Sequence, residues 1–257
     1  MGTELKLEIG TLYAFLLVLA RVSGVFIFVP LPGIKAGPDI IRVALAASIT
    51  LALLPLWPAI PSAGLSFGTL VGWLLAEAGL GIGVGIAVAF LSEIFQVGAQ
   101  IISLQAGYSF ASTIDPTSGA DSSVMLSIAQ TVAGLLFFAT GLDHQVLAAF
   151  AQSLSVHPPG QVLLTTSMLN QIIQTGSVMF STGLRLVLPL LAMLLIVDFS
   201  LALLARLNSQ LQLITLAFPI KMLLSLGLLA WLLLIFPKIF SQAAGPILRL
   251  VRQLLLA

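Results

Sequence analysis

From Phe67 to Phe95 the chain runs for 29 residues with two charged side chains, Glu77 and Glu93. At about 1.5 Å of rise per residue, a helix over that run is about 43 Å long. The hydrocarbon core of a bilayer is about 30 Å thick. Such a helix must tilt, bend or rise out of the bilayer.

The rest of the chain shares this character. Of 257 residues, 59% are hydrophobic and 7% charged, and the mean hydropathy is +1.16. A soluble domain carries about 25% charge. This chain cannot cover its surface with solvated groups and needs lipid, partner subunits or both around it. The net charge of +1 gives no basic field for nucleic acid. There is no cysteine, which excludes disulfides, thiolate metal sites and a cysteine nucleophile. The two histidines, His144 and His157, leave metal chemistry to scattered carboxylates. No cofactor, metal site or enzymatic activity is expected.

Further apolar segments follow one another along the chain. Leu12–Pro30 contains Arg21, and Ile40–Trp57 opens with Arg42. The start, MGTELKLEIG, lacks the basic region and small-residue site of a cleaved signal peptide, so the first segment reads as retained in the membrane. It also fits a myristoylation pattern poorly. After Phe95, Gln96–Tyr108 reads as a separate amphipathic stretch. Val124–Leu154 reads as a helical hairpin pinched at Gly141–His144, and HPPG at His157–Gly160 reads as a break. Met168–Leu207 holds Arg185, Pro189 and Asp198; Leu211–Phe236 holds Pro219 and Lys221. The tail places Lys238, Arg249 and Arg252 among Ile and Leu, the pattern of an amphipathic helix at an interface. The expected class is all-α, a membrane-associated helical bundle.

Two kinds of residue within the apolar runs point to function or to packing. Gly79, Gly81, Gly83 and Gly85 form overlapping small-xxx-small pairs, which let helix backbones approach closely in lipid. They mark ordinary helix packing, or a hinge or subunit contact. The charged residues Arg21, Glu77, Glu93, Arg185, Asp198, Arg206 and Lys221 lie where burial is costly. A charge at the bilayer centre costs at least about 2.5–3.5 kcal/mol. They need partners, protein or water, or else they form an ion path. Glu77 and Glu93, 16 residues apart, point to nearly opposite helix faces, which disfavours a joint carboxylate site. Asp198 and Arg206, eight apart, share one side. Lys221 is expected to reach a carboxylate or backbone carbonyls at a subunit contact.

In the middle stands QAGYSFASTIDPTSGADSSVML, from Gln105 to Leu126. Asp115-Pro116 starts a turn, and Asp121-Ser122-Ser123 supplies cap candidates for a helix from Val124. Non-helical backbone at membrane depth needs protein or a water-filled cavity around it. The stretch is either an exposed connection or a re-entrant element that lines or blocks a pore.

Several stretches together resemble the FliR family, the export-gate subunits of bacterial flagella and their type III secretion counterparts. Ala20-Arg21-Val22-Ser23-Gly24 with Pro30 and Pro32-Gly33, then Arg42 and ALAASITLAL, resemble the family's beginning. Glu77, the glycine run and Gln100–Gly107 resemble its middle, and Asp115-Pro116 its central loop. Leu136-Phe137-Phe138, Gly141 and His144 resemble the hairpin beyond it. Asp198, Arg206 and Phe218-Pro219-Ile220-Lys221 resemble its D, R and P-x-K positions. One departure stands out: Asn208–Gln212 replaces the family's Pro-Gln and Asn.

The resemblance implies a single-copy subunit in a helical gate with FliP-like and FliQ-like subunits, next to FlhB-like and FlhA-like export proteins. Residues 1–160 would be the FliP-like part and 161–257 the FliQ-like part. It implies a site in the bacterial inner membrane, at the flagellar basal body, in an assembly partly raised above the membrane plane. Unfolded flagellar substrates would pass through its pore. Gly107, Tyr108, Phe110, Ile114, Asp115, Pro116 and Gly119 would form the plug of the closed pore. Gly79, Gly81, Gly83, Gly85, Arg21, Glu77, Asp198, Arg206 and Lys221 would serve helix packing or subunit contact. Two alternatives stay open: the same subunit in a virulence injectisome, or a small-solute or ion carrier using Glu77, Asp198 and Lys221.

Overall fold

The structure is a computed structural model that describes residues 9–29, 40–57, 60, 66–108, 124–161, 165–207 and 213–256. The fold is all-α: seven α-helices and one 3-10 turn, with no strand among the described residues. The helices are α1 Ile9–Phe28, α2 Ile40–Ala52, α3 Phe67–Ala106, α4 Val124–Ala139, α5 Leu142–Val156, α6 Thr166–Leu207 and α7 Leu213–Leu256. The 3-10 turn, Leu54–Leu56, carries its proline near the start, where a missing N–H removes no helical bond.

By length and composition, α1, α3, α6 and Ala217–Leu256 of α7 can each cross a membrane. Helices α3, α6 and α7 are 40, 42 and 44 residues long. Each is therefore about 60–66 Å long, twice the hydrocarbon thickness.

Three segment boundaries differ from the sequence reading. The polar stretch Gln96–Tyr108 is not a separate element, because α3 runs unbroken through it to Ala106. The polar side chains there find protein partners. Gln96 Nε2 donates to Ser92 Oγ at 3.1 Å, and Gln130 Nε2 of α4 donates to Gln96 Oε1 at 2.5 Å. The hairpin expected at Gly141 is instead a 63° bend between α4 and α5. Gly141 makes it with φ +68°, a conformation that glycine adopts without steric cost. The tail is not a separate interfacial helix. It continues α7, and Ile247, Leu250, Val251, Leu254 and Leu255 are buried at spacings of three and four. Arg249 and Arg252 lie on the exposed side. The Arg/Leu alternation is that of a helix with one face in protein.

The chain forms two compact units. One comprises residues 1–89, 137–176 and 244–257; the other comprises 90–136 and 177–243. In the first, α1 and the beginning of α3 run in parallel with touching backbones. A Cβ on Gly24 would lie 2.7 Å from the Ile82 nitrogen, and one on Gly85 would lie 2.8 Å from the Val25 carbonyl oxygen. In the second, α3 runs parallel to α6, with Gly183 against Ile94 and Gly98 against Val187. Phe95 of α3 packs on Phe236 and Phe240 of α7, with ring centroids 4.0 and 6.1 Å apart.

Candidate functional site

Each unit holds a pairing between charged side chains that the sequence had singled out, four residues in all. In the first unit Arg21 of α1 meets Glu77 of α3. Arg21 Nε donates to Glu77 Oε2 at 2.5 Å, and both side chains are 0% exposed. The other carboxylate oxygen, Oε1, accepts the Gly160 N–H at 2.8 Å. Arg21 Nη1 donates to the Ser153 hydroxyl at 3.1 Å and to its carbonyl at 3.4 Å, and Nη2 to the His157 carbonyl at 3.1 Å. The fork of the guanidinium thus ties α1 to α3, to the last turn of α5 and to the turn beyond it.

Sequence reasoning marked Arg21 and Glu77 as needing partners. It did not pair them, and it took HPPG only as a break. The signal was Gly160. Its φ is +93°, and a Cβ there would come 2.9 Å from the Trp73 ring, so glycine is needed to bring its N–H to the carboxylate.

The glycine run supports this node. A Cβ on Gly81 would collide with the carbonyl oxygen of Arg21 itself. Gly83 faces Ile172, whose Cδ1 would be 3.2 Å from a Cβ. Gly79 is half-buried. The contacts of Gly81, Gly83 and Gly85 are helix packing within the chain.

In the second unit Asp198 of α6 meets Lys221 of α7, with Nζ 2.6 Å from Oδ1. Gln105 Nε2, in the last turn of α3, donates to the other oxygen, Oδ2, at 2.8 Å. The carboxylate that Lys221 reaches lies in its own chain, where the sequence reading had placed its partner at a subunit contact. Arg206, expected beside Asp198, is exposed in the last turn of α6. Helical periodicity put Asp198 and Arg206 on one side but could not see the neighbouring helix. Glu93 and Arg185 are exposed.

Three residues after Gln105, Tyr108 Oη donates to the Met222 carbonyl at 3.2 Å. Between them Gly107 has φ +87°, and a Cβ there would lie 3.0 Å from the Phe218 ring. The QAGY stretch and the FPIKM stretch, more than 100 residues apart in sequence, therefore meet. Gly107 and Tyr108 are the members of the expected plug that the structure describes. Phe110, Ile114, Asp115, Pro116 and Gly119 lie outside the described residues. No cluster of three or more metal-ligating side chains occurs among the described residues.

An all-α chain with four membrane-length apolar helices, in which the fully buried Arg21 and Glu77 neutralise each other, is an integral membrane protein. The model of the bacterial export proteins, family 1, matches residues 12–246, and the chain belongs to that family. Flagellar biosynthetic protein FliR of Escherichia coli (strain K12) is 30% identical over 241 residues, 92% of either chain. The protein of the same name from Caulobacter vibrioides is 28% identical over 85% of this chain and 87% of its own. That of Bacillus subtilis (strain 168) is 27% identical over 82% and 83%.

Proposed function

We propose that this chain is a structural, non-enzymatic subunit of the flagellar type III export gate in the bacterial inner membrane. The observation that carries the reading is the likeness to flagellar relatives over nearly the whole length. Their names favour the flagellum over an injection system. The helices add physical support. The most apolar window of α6 is only 17% buried within the chain, against 44% for that of α3. Lipid about 30 Å thick covers half of a helix about 63 Å long, so protein must cover much of the remainder. FliP-like and FliQ-like subunits are the partners that fit, with FlhB-like and FlhA-like proteins beside them. Residues 1–160 take the FliP-like place and 161–257 the FliQ-like place.

The pair geometry speaks against a carrier. Both oxygens of Glu77 and of Asp198 are engaged within the chain, which suits fixed neutralisation rather than ion transfer. The polar stretch beyond Tyr108 acts as the plug of the closed pore, entered from a point fixed by Gly107 and Tyr108. Unfolded substrates displace it on their way outward.

Purification of the tagged chain in mild detergent, followed by native mass spectrometry, tests the assembly. FliP-like and FliQ-like chains should accompany it; recovery alone or as a symmetric dimer would favour a carrier. Deleting Phe110–Gly119 tests the plug. The assembled deletion complex should leak small ions, and one as tight as the parent would place the seal elsewhere.

A further inference from the structure

The end of α3 is held by three contacts of different chemistry. Gln105 hydrogen-bonds the Asp198 carboxylate, which also takes the Lys221 ammonium. The Tyr108 hydroxyl reaches the Met222 carbonyl, which also accepts the Ser225 hydroxyl at 2.8 Å. Gly107 lies against the Phe218 ring. Asp198 of α6 and Phe218 and Met222 of α7 thus receive Gln105, Gly107 and Tyr108, on which the chain leaves α3.

The charged part of this cluster is only partly enclosed, with Asp198 36% and Lys221 14% exposed in their side chains. The helices on which it stands also pack on one another away from it, with Phe95 of α3 against Phe236 of α7. Ala106 and Phe236 are each 0% exposed, and Val187 is 1% exposed. Among the described residues of this unit, the other acid is Glu93, exposed on α3 twelve positions before Gln105. Among the described residues, the carboxylate that Lys221 reaches at the end of α3 is that of Asp198.

We propose that Gln105, Tyr108, Asp198 and Lys221 form a latch that fixes where the chain leaves α3, and that this latch sets the resting ion tightness of the gate. The inference rests on the gate reading above. Asp198 is the hub, since each of its oxygens takes one donor from a different helix. Lys221 holds the carboxylate in place for Gln105, and Tyr108 pins the exit itself. All four are positioning residues; none needs to touch a passing substrate.

The test uses the full chain assembled with its copurifying subunits in liposomes, with ion leakage read from a trapped dye. Asp198→Asn and Lys221→Met should each raise leakage several-fold at unchanged complex recovery. The exchange Asp198→Lys with Lys221→Asp should restore most of the tightness, which a loss of packing would not permit. Tyr108→Phe, which removes one oxygen, should raise leakage by a smaller factor and serves if the charge variants fail to assemble. Parental tightness in the assembled charge variants, or in Tyr108→Phe where they do not assemble, overturns the latch. So does leakage that the exchange leaves uncorrected. The Phe110–Gly119 deletion separates the two levels. A leaky deletion beside tight latch variants sinks the latch and spares the gate reading. A chain that recovers no partner subunits sinks the gate reading, and the latch with it.

Discussion

Arg21 and Glu77 in one compact unit, and Asp198 and Lys221 in the other, answer the same demand: an ionised group among apolar helices must be neutralised. The first pair has no exposure, and its remaining polar atoms are taken up by Ser153, His157 and Gly160. The second stands partly open, with one amide, Gln105, as its further partner. A closed pair punishes the loss of either member, because the survivor is left buried and uncompensated. An open pair lets water take over. The same chemistry serves as a fixture in one place and as a separable contact in the other.

The largest expected effect lies on the closed side. Glu77→Ala strands the Arg21 guanidinium and the Gly160 N–H, and should cost about 3–5 kcal/mol. A sharp drop in folded yield and in the melting temperature of the detergent-solubilised chain would register it. The double variant Arg21→Met with Glu77→Met should be markedly less damaging than either single change, since an apolar replacement strands no charge. If the double is as poor as the singles, the pair is valued for shape rather than for charge.

Next in size is Gly81→Ala, which pushes a methyl group onto the Arg21 carbonyl. The backbones of α1 and α3 must then separate, at about 1–3 kcal/mol. Gly83→Ala meets only the flexible end of Ile172 and should cost clearly less. Equal losses at the two positions, by thermal melting, would deny that α1 contact is what Gly81 serves.

On the open side, Lys221→Met should change chain stability by about 1 kcal/mol or less. A melting temperature lowered as far as that of Glu77→Ala would abolish the distinction between the two pairs. Smallest of all is Gly227→Ala in α7, where a Cβ meets nothing within 4 Å. It should raise the stability of the isolated chain by up to about 1 kcal/mol through helix propensity.

The long apolar runs and the need of each buried charge for a partner were legible in the sequence, because burial cost and hydropathy are local properties. Which charge meets which was not. Arg21 and Glu77 are 56 positions apart, and one helix's periodicity carries no information about its neighbour. Asp198 was accordingly set beside Arg206, its companion on the same helix, while its partners came from α3 and α7. Polarity also misled at Gln96, where a change in side-chain character was read as a change of element. The backbone continued because Ser92 and Gln130 satisfied the amide. HPPG illustrates the converse: a pattern that locally means only an end to helix here places a backbone donor on a carboxylate 83 residues away.

Helices of 40 to 44 residues also bear on how the chain survives its own synthesis. A newly inserted copy has lipid for about half of each such helix; the rest meets headgroups or water with its apolar side bare. To the membrane's proteolytic surveillance that state is hard to tell from a misfolded protein. The lifetime of the chain should therefore follow the supply of its partner subunits. Pulse-chase labelling in cells lacking those subunits should show rapid turnover, with persistence returning when they are supplied together.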